Sequence, residues 1–220
     1  MENQDTQSRE IAIFADDSRL AGTLCLPAHA RTVIVFAHGS GSSRFSPRNR
    51  YVASVLQEAG LGTLLIDLLT ADEEQVDART GQLRFDIDFL AQRLVAATLW
   101  LKDNTDTEGL GAGYFGASTG AAAALVAAAQ LPEQIVAIVS RGGRPDLAET
   151  YLSRVQAPTL LIVGGNDEPV IRLNEQAFRQ LQCEKQLVIV PGATHLFEEA
   201  GALEQVAHLA SQWLTSHQRP

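Results

Sequence analysis

The chain is short of several things whose scarcity closes off whole classes of protein. Its 220 residues include only two cysteines, Cys25 and Cys183, far apart and in no CxxC or metal-ligand spacing. Such a count speaks against a disulfide scaffold or a zinc site and predicts buried free thiols in a reducing cytosol. Long apolar runs are missing as well: the longest, around residues 121–129, falls far short of the ~20 residues that span a bilayer. Lysine is scarce, since fifteen of the seventeen basic residues are arginine, and the net charge is −9. That balance argues against a general nucleic-acid or anionic-membrane surface, so neither partner is expected. The opening MENQDTQSRE is polar and lacks the basic segment and apolar core of a signal peptide. A cytoplasmic protein is expected. No repeat, linker or low-complexity segment divides the chain, so residues 1–220 read as one domain, with 1–10 as a flexible N-terminus.

What is present is an alternation of apolar runs and helical patterns. IAIFA at 11–15 and LAGTLCLP at 20–27 read as two strands joined by Asp16-Asp17-Ser18. TVIVFAHG at 32–39 and GTLLIDLL at 62–69 are continuous runs, which suits strands buried on both faces. Between them Ser46 can cap a helix that has Pro47 in its first turn and Gly60 at its end. A polar loop follows residue 69, and then residues 85–103 form an amphipathic helix with Asp86 and Asp88 in its first turn. GAGYFG leads into a helix made almost wholly of alanine. Strands at 135–140, 159–165 and 186–192 alternate with helices near 171–182 and 200–216. This pattern implies right-handed crossovers and one α/β domain, a mainly parallel sheet of about eight strands with helices on both faces.

In such a sheet, sites form just beyond the carboxyl ends of the strands. Ser118, in Gly116-Ala117-Ser118-Thr119-Gly120, stands at one of them. Serine is also a preferred helix N-cap, and Gly-x-Ser-x-Gly arises by accident in roughly one chain in fifteen of this length at ~7% glycine. The motif alone decides nothing. Asp167 and His195 stand at two further strand ends, and a serine hydroxyl needs a base in reach and a third group to fix the tautomer of that base. Taken singly, Asp167 in GGNDEP could be a turn residue and His195 in PGATHLF a surface or capping histidine. Together, in the order Ser…Asp…His, they point to nucleophilic catalysis.

With these residues the chain resembles the α/β-hydrolase superfamily, and within it the lidless dienelactone-hydrolase-like branch. The resemblance runs from about residue 20 to 215 and rests on HGSGSS, GASTG, VGGNDEPV and PGATHLF. It implies an α/β-hydrolase fold with no large cap domain, since residues 141–158 leave no room for one, and hence a small, rather exposed pocket. It also implies Ser118 as nucleophile on a strained strand-to-helix turn, His195 as general base and Asp167 as its orienter. The oxyanion hole would use the backbone N–H groups of Thr119 and Ser40. Dienelactone hydrolases proper carry cysteine where this chain has Ser118, so an ordinary ester or thioester stands beside a lactone as substrate. His38 resembles the loop-shaping histidine of the superfamily, Glu168 and Asp67 are alternative orienters, and His29, His208 and His217 read as surface residues.

A second glycine pattern, Gly111-Ala112-Gly113-Tyr114-Phe115-Gly116, has dinucleotide-fold spacing but precedes the helix from within the strand, so it is rejected. Arg44, Arg48, Arg50, Arg141 and Arg144 crowd two loops at the site edge. Basic residues in a first helical turn oppose the helix dipole, so helix stability does not account for Arg48 and Arg50. Either these arginines bind an anionic group of the substrate, with Arg44, Arg48 and Arg141 as candidates beside His38, or they pair with Asp67, Asp72 or Asp146. The expected function is hydrolysis of a small acyl ester, lactone or thioester through an acyl-enzyme. Acyl transfer at the same site, or small-molecule binding or sensing without turnover, are the alternatives. Nothing in the pattern asks for a metal or organic cofactor.

Overall fold

The turn Asp16-Asp17 folds β1 (Ser8–Ala15) and β2 (Ser18–Cys25) into an antiparallel hairpin in which Ala15 pairs with Ser18. The computed structural model describes residues 8–218. Residues 1–7 of the expected flexible N-terminus therefore lie outside it, and Ser8, Arg9 and Glu10 already belong to β1. Beyond the hairpin come β3 (Thr32–Ala37), β4 (Gly62–Ile66), β5 (Gly111–Ala117), β6 (Ile135–Arg141), β7 (Thr159–Gly164) and β8 (Lys185–Val190). They form one eight-stranded sheet in the order β1-β2-β4-β3-β5-β6-β7-β8, parallel from β4 through β8. Every residue of β3, β4, β5 and β7 is buried, as their continuous apolar runs predict.

Helices α1 (Pro47–Glu58) and α6 (Ala202–Ser216) cover one face, where Phe36 and Phe115 stack at 4.9 Å beneath Val52, Leu56 and Val206. Helices α3 (Ile87–Asp103), α4 (Thr119–Gln130) and α5 (Glu168–Gln180) cover the other. The caps follow the sequence: Ser46 accepts from the Asn49 N–H with Pro47 behind it, and Asp86 accepts from the Phe89 N–H. Small residues let α4 press on the sheet. A Cβ on Gly116 would lie 2.4 Å from Ala121 Cα, and one on Gly120 would lie 2.3 Å from the Ala37 oxygen. All eleven residues Thr119–Ala129 are buried as a result. Among the described residues no helix is long and apolar enough to cross a membrane. Cys25 is buried and Cys183 only half-buried; both are free thiols.

The expected polar loop after residue 69 is instead helix α2 (Ala71–Thr80). Its apolar face is weak, which is why periodicity misses it. It is held by its ends: Thr70 and Glu73 form a reciprocal capping box, and Gly81 closes it in the left-handed conformation at φ 66°. Glu73 also ties it to the buried Arg93 of α3, and Asp77 to Arg84, so tertiary ion pairs replace the missing hydrophobic stripe.

Candidate active site

Strand order decides where a site can form. Chain progression runs outward from β3 to β4 on one side and onward to β5 on the other, so the loops after β3 and β5 diverge and leave a crevice. Ser40 follows β3 and Ser118 follows β5, with Ala37 and Gly116 in register just below.

Ser118 stands at the N-cap position of α4, but it does not cap. Its backbone adopts φ 50°, ψ −121°, and its hydroxyl makes no capping bond. That conformation belongs to glycine at the first central residue of a type II′ turn and is costly for serine. The backbone is pinned there from both sides: its N–H donates to the Arg141 oxygen at 3.3 Å, and its oxygen accepts from Arg144 N–H at 3.1 Å. Gly39 is the residue that makes room, since a Cβ on it would sit 3.0 Å from Ser118 Cβ.

The loops after β7 and β8 are stitched to each other. Asn166 N–H donates to the Ala193 oxygen at 2.9 Å, and its side-chain amide donates to the Gly192 oxygen at 2.8 Å. Gly164 permits the approach, because a Cβ there would meet the Ala193 and Thr194 oxygens at 2.5 Å. The stitch brings His195 Nδ1 to 2.7 Å from Asp167 Oδ2. A carboxylate only accepts, so Nδ1 carries the proton and the lone pair is left on Nε2. His195 in turn packs on the loop after β6: a Cβ on Gly142 would lie 3.6 Å from His195 Cε1. Ser118 and His195 therefore flank the same four-residue turn, 141–144, while the Ser118 hydroxyl itself is hydrogen-bonded to no described residue.

The two expected oxyanion donors are side by side, with one difference. Ser40 N–H already donates to the Thr119 hydroxyl at 3.1 Å, and the two hydroxyls lie 3.0 Å apart. Thr119 N–H opens α4, where the orphaned amides and the dipole favour negative charge. Beside this pair lies a cavity of about 510 Å³ lined by Phe45, Leu68, Leu69 and Leu90, with Asp77 and Arg84 at its α2 side. The cavity is of ordinary size for a small-ligand pocket, and α2 supplies one of its walls. The T-x-x-E capping box at Thr70–Glu73 was the signal that would have revealed that wall.

The competing residues separate cleanly. His38 is buried and fully used: Nε2 accepts from Leu68 N–H at 3.0 Å, and Nδ1 faces the Gly39 oxygen at 3.0 Å. Burial pushes its pKa down, so it is a neutral brace for the loop and not a substrate ligand. Arg44 is claimed by Asp67, through both its guanidinium and its backbone N–H, and by Glu10 at 3.1 Å. The expectation that Arg44 binds substrate is therefore corrected, and Asp67 is equally spent as an orienter. Arg50 lies over the Phe45 ring, and Arg144 forms a fork with Asp146. Arg48 reaches Glu198 at 3.0 Å, and exposed Glu168 pairs within its own helix with Arg172. His217 turns to the Trp213 oxygen at 2.8 Å. Gly111, Gly113 and Gly116 all lie within β5, in keeping with rejection of the dinucleotide pattern. Among the described residues, Nε and Nη1 of the buried Arg141 have no hydrogen-bond partner, and burial, reinforced by Arg48, pushes its pKa down to about 10.

The sheet order, the helices on both faces and the strand-end loops define an α/β-hydrolase fold without a cap domain. The chain belongs to the dienelactone hydrolase family, whose model matches residues 20–215. A dienelactone hydrolase from Anabaena variabilis is 61% identical and superposes with a TM-score of 0.95, covering 97% of this chain and 99% of that one. A serine hydrolase without lid from Xanthomonas campestris shares the fold at 21% identity and a TM-score of 0.76, over 98% and 97% of the two chains. Proteins of two Mycobacterium tuberculosis strains, named "Putative phosphoribosyl transferase", are 55% identical over 211 residues. That match covers 96% of this chain but 47% of theirs, so the chain spans about half the length of these curated relatives.

Proposed function

We propose that the chain is a serine hydrolase that cleaves a small ester, lactone or thioester through an acyl-enzyme on Ser118. The observation that carries this reading is the state of Ser118. A capping serine would sit in relaxed extended backbone and spend its hydroxyl on the helix, whereas this one is held at φ 50° with its hydroxyl unspent.

In the proposed cycle Ser118 Oγ attacks the acyl carbon while Nε2 of His195 takes its proton. Asp167 holds the ring through Nδ1 and stabilises the imidazolium that forms. Negative charge grows on the carbonyl oxygen at the start of α4, facing the Thr119 N–H and, once the Thr119 hydroxyl yields it, the Ser40 N–H. The imidazolium then protonates the leaving alcohol or thiol, and water attacks the acyl-enzyme by the reverse sequence. The phosphoribosyl transferase name is carried by M. tuberculosis proteins about twice as long as this chain.

Multiple-turnover assays with p-nitrophenyl esters, thioesters and lactones, and labelling by a fluorophosphonate, test the proposal. Ser118→Ala is expected to abolish both turnover and labelling, and Asp167→Asn to cut kcat by a factor on the order of 10⁴ through the wrong imidazole tautomer. Undiminished labelling of Ser118→Ala removes Ser118 from the role.

A further inference from the structure

Helix α2 differs from the other helices in that its inward side meets a cavity rather than the core. Glu74, Asp77 and Ala78, spaced i, i+3 and i+4, share that side, and all three line the cavity beside the Ser40–Thr119 pair. Asp77 is the one buried residue of the helix, and its carboxylate is spent on Arg84. The facing walls are apolar. Leu68 and Leu69 follow β4, Leu90 belongs to α3, and Phe45 lies on the loop after β3. Phe45 lines the cavity and is still 49% exposed, with the guanidiniums of Arg44 and Arg50 over its ring at 4.0 and 4.8 Å. An apolar-walled cavity with a held aromatic ring at its open side is suited to an apolar ligand group.

The position of the cavity relative to the reacting groups says which part of a substrate enters it. Three groups radiate from an acyl carbon: the carbonyl oxygen, the leaving group and the acyl chain. In the proposed cycle the oxygen faces the Thr119 and Ser40 N–H groups, and the leaving group lies by His195, which protonates it. The cavity reaches Ser40 and Thr119. Among the described residues its lining includes neither His195 nor any residue of the loops after β6, β7 and β8. The direction that remains is that of the acyl chain. Of the three α2 residues on the cavity, Ala78 alone is apolar, and its small side chain leaves depth that a larger one would fill. Glu74 is exposed and Asp77 is neutralised by Arg84, so no unpaired buried charge from α2 faces the chain.

We propose that this cavity is the acyl pocket, that it takes an apolar chain well beyond acetyl, and that Ala78 of α2 sets the length of that chain. This rests on the hydrolase reading and deepens it: the substrate is an ester or thioester of a medium-chain apolar acid. Each further methylene buried against Phe45, Leu68 and Leu90 adds binding that an acetyl group lacks. The missing hydrophobic stripe of α2 then has a reason. A helix that faces substrate instead of core is held by its capping box and by Glu73–Arg93, and it keeps its inward side for the ligand.

The test compares two isomeric esters, ethyl hexanoate and hexyl acetate, by acid release at constant pH. They have one composition and differ in which side of the ester carries the chain. Wild type is expected to favour ethyl hexanoate about 10- to 100-fold in kcat/KM, since each buried methylene is worth about fourfold. Equal values overturn the proposal, and so does a preference for hexyl acetate, which puts the alcohol in the cavity. Ala78→Leu keeps a strong helix former and shortens the pocket, so the ratio, hexanoate over acetate, is expected to fall about tenfold or more. Arg79→Leu places the same side chain at an exposed position of α2 off the cavity and is expected to keep the wild-type ratio. An unchanged ratio in Ala78→Leu, or an equal fall in Arg79→Leu, overturns the role of Ala78. Thermal melting supplies a readout independent of turnover. Hexanamide is expected to raise the Tm of wild type more than acetamide does, and Ala78→Leu is expected to lose that difference. Protection by hexanamide no greater than by acetamide overturns the pocket. Should neither ester turn over, the hydrolase reading fails and the melting series alone decides whether the cavity takes an apolar chain.

Discussion

Replacing Ser118 by glycine should leave a more stable protein than replacing it by alanine, the reverse of what helix propensity predicts. The Ser118 hydroxyl makes no cap bond, so both variants lose little by losing it. Alanine keeps the strained backbone at φ 50°, ψ −121°, and strain of this kind costs about 1–3 kcal/mol. Glycine relieves it. Against that stand glycine's extra backbone entropy, about 0.5–1 kcal/mol, and the loss of a half-buried Cβ, worth about 0.4 kcal/mol at half the value of a buried methylene. The balance is about 1 kcal/mol in favour of glycine, or about 2–4 °C in Tm for a chain of this size. Urea denaturation and calorimetry of the two variants measure it directly. If Ser118→Ala is as stable as Ser118→Gly or more so, the turn holds no strain, and the main argument for Ser118 as more than a helix-cap serine is lost.

Three other expectations follow from single contacts. Burial depresses the pKa of His38, so the folded chain resists a proton that the unfolded chain accepts near pH 6.5. Its contribution is complete above about pH 6.5 and falls by up to about 1.4 kcal/mol per pH unit below it; a stability–pH slope no steeper than that of His38→Asn between about pH 5 and 7 refutes this. Gly120→Ala should cost about 3 kcal/mol or more, because its Cβ would meet the Ala37 and His38 oxygens at 2.3 and 2.5 Å, although helix propensity alone predicts a gain of about 1 kcal/mol. A normal melting temperature would show that α4 lies farther from β3 than described. Asp67→Asn should cost about 2–3 kcal/mol by leaving Arg44 short of its main partner, with no change in the preference for anionic over neutral esters. A changed preference would return Arg44 to the substrate.

The order of strands and helices could be read from the chain because α/β proteins write it redundantly. Continuous runs such as Thr32–Ala37 and Gly62–Ile66 are buried on both faces, and Ser46-Pro47 and Asp86 mark helix starts by local bonding alone. The pairing of Asp167 with His195 was also foreseeable, since strand-end positions in a parallel sheet converge. Helix α2 was not, because its stability lies in Glu73–Arg93 and Asp77–Arg84, pairs that no apolar period records.

What the sequence determined by itself was the kind of protein and a short list of candidate site residues, through local patterns that need no partner to be recognised. Whether Ser118 caps or stands free was left to tertiary structure, because its backbone is set by Arg141, Arg144 and Gly39, none of them a sequence neighbour. The five site-edge arginines were sorted in the same way. Charge alone makes them equivalent; distance to a carboxylate separates Arg44, Arg48 and Arg144 from Arg141, and Arg50 lies over the Phe45 ring. Arg144 meets Asp146 two residues on, but the pairs of Arg44 with Asp67 and Arg48 with Glu198 join residues far apart in the chain, and the fold alone fixes that separation.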